Sequence, residues 1–574
     1  MKIKHLFGLA VIAAMTASCS SNEDLGTAGP GTGTNETGVG YATFTINLPS
    51  VSGTRAADAG GAEMNEGTAK EYAVKSATAL IFQKYGSDEG SCKFVESVDL
   101  PTAAADWTDD TTVGITTTKK LVAKLTNVDT KNQYYVLVLL NNNKNKTGGV
   151  KVALPTVGQS YNEWNSQILT PSVDDLAADN DFYMANAPLK GTASPTTLVT
   201  IDKEHIYSSK EKAEAGTSAA TVYVERGVAK MSVNDPKTKT VIDKATNTST
   251  QSTVKFNNWA LDITNKKTYA VHNIDGLSTD FPAIWTTPRF IGTNSRVYWG
   301  KDPNYNLDNL NTGKEADREA EFNFIKATNG INKTFTESAY CLENTFNLAN
   351  MYQGQTTRVI FKATYTPKDD TGNPLADKDG TFYTIGNMTT ILNEAALKTA
   401  VNTAATSVLP GCTVDYTNLK TEGSHVITLA DIKDSTGTTL VADKDYSGKT
   451  GTVIVKEIND KLGLIDGAGH AEAMVGINTY AQGVTYYIAR VKHFGSLTPW
   501  NSGESYGTDN GKYLGRYGML RNNWYDLTVG NVYGPGYPGV PPVDPNQPDD
   551  ENEKYLSVSV KILSWAKRSD TVDL

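Results

Sequence analysis

Apolar residues recur at every second position in short runs through most of this chain. The first run is 41–48, YATFTINL, in which Ala42, Phe44, Ile46 and Leu48 face one way and Tyr41, Thr43, Thr45 and Asn47 the other. Pro49 ends it, and 50–67 is small and polar, with Arg55 as its one basic residue. Strands are predicted over 74–82, 121–125 and 134–140, the last (YYVLVLL) apolar on both faces. Short helices are predicted over 161–169 and 174–180, with strands at 182–186 and 197–201. Residues 202–219, dense in Lys, Glu, Ala and Ser, predict a connector or surface helix. From residue 221 strand patterns return, at 221–233 (TVYVERGVAKMSV), 255–264, 357–365, 452–458, 484–492 and 524–529. A helix is predicted over 389–406, where Ile391, Leu392, Ala395, Val401 and Ala405 stand at helical spacing. Turn clusters, long polar loops and no βαβ rhythm predict a mainly β chain of sandwiches with a few short helices. A boundary near 220 divides it into units 56–220 and 221–533.

The last run stands apart. Within 555–574, Leu556, Val558, Val560 and Ile562 alternate with Ser557, Ser559 and Lys561, so a strand with one buried face is predicted. Before it lies 534–554, GPGYPGVPPVDPNQPDDENEK, which reads as a stiff, solvated linker. If mostly extended at about 3.1 Å per residue, it spans about 65 Å. The strand either folds back into its own sheet or serves another molecule. The two terminal runs carry matching apolar sets, so either could occupy one groove in register. Burying four such side chains contributes roughly 6–12 kcal/mol before ordering costs.

The other end adds a destination. Lys2, Lys4 and His5 precede a short apolar run that ends in Thr16-Ala17-Ser18-Cys19. This resembles a bacterial lipoprotein signal (1–19) with Cys19 as the lipidated residue, although Thr16 stands where an aliphatic residue is usual. The acidic stretch Ser20 to Asp24 resembles the tract that sends Bacteroidetes lipoproteins to the cell surface. Residues 20–40 then form a flexible spacer of Gly, Thr and Asn. A plain secretory signal is the alternative.

Composition excludes more than it identifies. At 574 residues the chain holds two or more domains with real cores, and 39% hydrophobic with 20% charged residues is globular. A net charge of −10 with no basic face argues against nucleic acid. Cys92, Cys341 and Cys412 are odd in number and widely spaced, so buried thiols are expected rather than a disulfide framework or zinc site. His205, His272, His425, His470 and His493 are isolated. Gly448-Lys449-Thr450 lacks the first glycine of a phosphate loop and reads as a turn before strand 452–458. The run 302–308, DPNYNLD, lacks the glycine and closing glutamate of an EF-hand, leaving at most an irregular calcium site. Neither an enzyme nor a cofactor is expected.

Taken in order, several pieces resemble the minor fimbrillin family, the shaft subunits of type V pili of Bacteroidales. They are the signal ending at Cys19, strand 41–48, an isolated arginine in GTRAA (53–57), and VERGVAK (224–230). RNNW (521–524), a proline-rich linker and a terminal strand ending in Val572-Asp573-Leu574 complete the series. The resemblance implies two transthyretin-like β-sandwich domains and a polymer built by strand exchange. An arginine-specific surface protease would cut after Arg55, leave Ala56 as the new N-terminus, and release segment 41–55. A neighbour's strand 555–574, carried on linker 534–554, would fill the groove. Implied partners are further copies of the chain, accessory fimbrial subunits, a host protein or glycan, and the outer membrane through lipid on the precursor. While 41–48 is in place, the terminal strand should have no groove and be extended away or poorly ordered. A monomeric surface lipoprotein, or a tip or anchor component of the same fimbrium, is the alternative.

Overall fold

The computed structural model describes residue 34 and residues 38–565, except 50–63, 66–67, 103–107, 110–116, 130, 144–148, 191–194, 283–296, 298, 308–309, 311–313, 387, 389, 465–475, 496, 498–512, 544 and 551–555. Cys19, Arg55 and Ala56 therefore lie outside the described residues. The chain is mainly β with few helices, as its alternation predicts.

The first sheet has ten strands. Its main members are β1 (Gly40–Asn47), β2 (Ala77–Gln83), β3 (Lys93–Leu100), β4 (Thr117–Leu125), β5 (Tyr134–Leu140), β6 (Met184–Asn186) and β7 (Ala220–Arg226). They run in the order β3-β2-β5-β6-β7-β1-β4. Strand β5 is apolar on both faces because it is internal, paired with β2 on one side and with β6 and Val199–Ile201 on the other.

The second sheet has nine strands. It is built on β8 (Ala229–Val233), β9 (Thr238–Asp243), β10 (Thr248–Asp262), β11 (Arg358–Thr366), β12 (Val484–Arg490), β13 (Asn523–Val532) and β14 (Leu556–Trp565). The run 221–233 reads as one continuous strand pattern, yet the chain changes sheets inside it. Strand β7 ends at Arg226, and β8 begins three residues later in the second sheet. Gly227 makes the crossing, since a Cβ there would come within 2.9 Å of the Tyr183 ring.

Between β11 and β12 the chain inserts a smaller layer with its own core, including Leu397, Val401, Ile454 and Ile458. The helix predicted there is Glu394–Val408. The expected strand 452–458 is instead a helix, Gly451–Lys461. A short apolar run fits either period, and here the cap decides. The Thr450 hydroxyl accepts from the Val453 N–H, and Ile454 and Ile458, one turn apart, are buried while Val453 is exposed. The turn at Gly448-Lys449-Thr450 thus leads into a helix. Segment 202–219 forms a short helix, Lys210–Ala215, whose Ala213 is fully buried.

Candidate strand-exchange site and the clasped terminus

Strand β1 lies inside the first sheet. It pairs antiparallel with β4 along its whole length, from Gly40 with Leu125 to Asn47 with Thr118. On its other side it runs parallel to β7, Phe44 to Asn47 against Ala220 to Tyr223, and meets Tyr207 and Ile206 at its start. Among the described residues, no strand other than β1 joins β4 to β7. Ala42, Phe44 and Ile46 are 0% exposed and Leu48 is 4% exposed, so the apolar face expected from the sequence is the core face. The polar face is also covered. The Thr43 hydroxyl donates to the Ala213 carbonyl (2.6 Å), Thr45 bonds to the Ser218 hydroxyl (2.7 Å), and Asn47 accepts from Thr118 (2.8 Å).

The two motifs quoted above, VERGVAK and RNNW, meet where the sheets join. The Lys230 ammonium lies 2.7 Å from Glu71 Oε1, both side chains only 3% exposed, and 3.5 Å over the Trp524 ring. Glu71 also accepts from the Tyr340 hydroxyl and the Thr68 N–H. Burial alone would raise its carboxyl, but Lys230, Tyr340 and Thr68 outweigh burial and hold it below the ordinary carboxylate range. The Arg226 side chain donates to the Glu71 carbonyl, and its backbone N–H donates to Asn522 Oδ1. Arg521 pairs with buried Glu343 at 3.2 Å. Segment 68–72, downstream of Arg55, is thereby wired to the second sheet.

At the far end, β14 is paired. It runs antiparallel to β13 from Leu556 opposite Val532 to Ser564 opposite Asn523. On its outer side Ser564 and Trp565 pair with Met64 and Asn65. The expectation that this segment extends away while β1 is in place is corrected. The unpaired N–H and C=O groups of β13 supply a partner regardless of β1. The backbone of Leu556, Val558, Val560 and Ile562 is in this ladder, and their side chains lie outside the described residues.

The stretch read as a solvated linker is also corrected. Residues 534–543 and 545–550 form a strap bound to the second sheet. Tyr537 exchanges both backbone hydrogen bonds with Tyr486 on the outer edge of β12. Tyr487 and Tyr480 hydroxyls donate to the Gly534 and Gly536 carbonyls. The Arg358 guanidinium, paired with Asp262 at 2.8 Å, donates to the carbonyls of Pro541 (2.7 Å) and Pro542 (3.0 Å). Asp550 pairs with Arg516 at 2.8 Å. Its prolines have no N–H to donate, but their carbonyls remain acceptors, and these bonds add to the N–H groups that Tyr537 and Asp549 donate.

Asp549 closes the clasp. It is fully buried, its Oδ1 accepts from the Thr356 hydroxyl (2.5 Å), and no described group donates to its Oδ2. Burial pushes its carboxyl up to about 7 against the opposing pull of Thr356 and Arg490. A raised carboxyl stabilises the folded state fully below its unfolded value of about 3.9, and that contribution is lost as pH rises through about 7. The Asp549 amide, which donates to Met351, should therefore exchange faster at pH 8 than at pH 5.5 after correction for intrinsic rates. Asp549→Asn should remove this pH dependence.

Cys92, Cys341 and Cys412 are buried free thiols, as expected. Asp302 and Asn304, from the irregular calcium reading, are buried, and Asp302 accepts from the Asn304 and Thr345 backbone N–H groups. His272 is buried against Glu225, and His493 against the Tyr525 hydroxyl.

Comparison with known proteins follows the same end of the chain. Residues 478–571, which include β12, β13, the strap and β14, match the family described as major fimbrial subunit protein type IV, fimbrillin, C-terminal. No curated protein matches the chain in sequence. Among solved structures, a putative cell adhesion protein from Parabacteroides distasonis shares 10% identity at a TM-score of 0.34, covering 92% of this chain and 99% of its own. A fimbrial assembly protein from the same species shares 13% identity at a TM-score of 0.27, over 61% of this chain and 93% of its own. The tip fimbrial protein Mfa3 from Porphyromonas gingivalis, C-terminally truncated, shares 11% identity at a TM-score of 0.28, over 92% of this chain and 100% of its own. Over residues 478–571 the chain is similar to the C-terminal part of the fimbrillin family.

Proposed function

We propose that this chain is a shaft subunit of a cell-surface fimbrium and polymerises head to tail by strand exchange. The precursor is an outer-membrane lipoprotein anchored at Cys19, and an arginine-specific protease cuts between Arg55 and Ala56. Segment 41–55 leaves the 56–220 unit, and strand 555–574 of a second copy, carried beyond the 221–533 unit and segment 534–554, takes its place. Accessory fimbrial subunits and a host protein or glycan are the remaining partners, and the role is structural and adhesive rather than catalytic. The observation that carries this reading is the place of β1. It is internal, fully buried on its apolar face, and its removal would bare the ladder edges of β4 and β7 together. Such a slot accepts a strand from another molecule through backbone hydrogen bonds and alternate side-chain pockets.

One register matches hydroxyl to hydroxyl at two positions of the polar face. With Leu556 at the place of Ala42, Ser557 takes the place of Thr43 and Ser559 that of Thr45. Each incoming hydroxyl then replaces a hydroxyl, at the Ala213 carbonyl and at Ser218. Val558, Val560 and Ile562 fall at Phe44, Ile46 and Leu48. In this register Lys561 falls at Asn47, which is buried and bonded to Thr118, and a shift of two residues toward the N-terminus of the slot moves it to half-buried Thr45.

The β13–β14 ladder favours a second reading, in which β14 closes its own sheet and the chain remains a monomeric surface lipoprotein. The test is electron microscopy of the full chain and of a chain ending at Lys554, each after arginine-specific cleavage. Filaments are expected from the full chain and none from the shorter one. A synthetic 555–574 peptide should bind the cleaved shorter chain at one per subunit, which separates loss of the donor from loss of folding. Equal filament yields would overturn the exchange reading, and no filaments from either chain with no peptide bound would favour the monomer.

A further inference from the structure

We propose that the strap 534–550 stays clasped to its own sheet when β14 leaves, so that residues 551–555 alone deliver the exchanged strand. The proposal rests on the strand-exchange reading and fixes where the second copy must sit.

The strap is held along its length by groups that belong to the body of the second sheet. Arg358 is 2% exposed and donates to two strap carbonyls while bound to Asp262. Tyr480 and Tyr487, both buried, spend their hydroxyl donors on it. Tyr537 covers the open edge of β12. Gly354 receives Pro545 so closely that a Cβ there would stand 2.8 Å from the Pro545 Cα. Stripping the strap would leave these buried donors without acceptors, a penalty that leaving β13 alone does not incur. Strand β14, by contrast, is flanked on its outer side by only the two residues Met64–Asn65.

The clasp shortens the reach. From Asp550 to Leu556 the chain can extend about 20 Å at roughly 3.3–3.6 Å per residue, against about 65 Å for an unbound 534–554. In the register above, Leu556 enters at the start of β1, beside Ile206 and Tyr207. The slot mouth at Ile206–Tyr207 of the second copy must therefore lie within about 20 Å of Asp550. The Arg516–Asp550 corner and the Ile206–Tyr207 end face each other across the subunit junction.

A disulfide across the strap tests this. Tyr352 and Pro548 oppose each other between the flanking bonds Gln353 N–H to Gln547 and Asp549 N–H to Met351. Such a non-hydrogen-bonded pair has Cα atoms about 4.5 Å apart, within disulfide range. In the full chain carrying Tyr352→Cys and Pro548→Cys, cleaved after Arg55, oxidised and reduced samples should give filament yields within about twofold. Deleting 551–553 should lower the yield at least tenfold, because it removes most of a short tether. A tenfold loss on oxidation that reductant restores, or unchanged yield after the deletion, would overturn the proposal. The chain ending at Lys554 is the separate control. Filaments from it would overturn strand exchange itself, whatever the locked chain does.

Discussion

Phe44→Ala is expected to lower the stability of the uncleaved chain by about 3–5 kcal/mol, the range for removing a large aromatic ring from a closed core. Phe44 is 0% exposed and sits between β4 and β7, whose partners opposite it are Leu121 and Ala220. The same substitution should leave the stability of assembled filaments unchanged, because β1 is absent from them in the exchange reading. Urea unfolding of the precursor and thermal dissociation of filaments measure the two quantities. A loss in both would mean that β1 stays in its sheet.

Lys230→Met is the second large effect, about 3–5 kcal/mol, because it strands a buried carboxylate rather than removing a whole pair. Glu71→Gln combined with Lys230→Met should recover part of the loss. The pH course follows from the carboxyl. Glu71 is held below its ordinary value, so its contribution is present above the unfolded value of about 4.3 and is lost as pH falls through the lower folded value. The gap between parent and Lys230→Met should therefore narrow in acid, as denaturation at pH 7 and pH 3.5 would measure.

Much of this architecture was legible where alternation is strict and a breaker is near. The 41–48 run, bounded by Pro49, is β1, and 134–140 is β5. What alternation cannot report is the partner of a strand. Thr43 and Asn47 look solvent-facing in sequence, yet both are buried, because Ala213 and Thr118 supply their bonds from distant segments. The same limit explains β14, whose strand character was clear and whose pairing with β13 was not. The strap was misread for a different reason. Proline, glycine and acidic residues signal a solvated tether, while the strap is fixed by backbone carbonyls, which composition does not disclose. The available signal was Arg358 at the head of an apolar strand, a buried cation in need of acceptors. The helix Gly451–Lys461 was hidden because TVIVKEI fits both periods and only the cap at Thr450 separates them.

The crossing at Gly227 has a mechanical consequence. Strand β7 lies beside the β1 slot, and β8 runs parallel to β13, Lys230 to Val233 against Trp524 to Leu527. In the proposed strand-exchange fibre, load entering a slot under tension would pass sideways into β7 and cross the covalent bridge of Gly227 and Val228. From β8 it would shear across to β13 and continue into the strap. Parallel neighbours pulled lengthwise share such a load across all their rungs at once, whereas a ladder opened from one end yields a rung at a time. The two-residue span, together with the Arg226–Asn522 and Glu71–Lys230 contacts beside it, would thus carry the pull from each subunit's slot toward its outgoing strand in that reading.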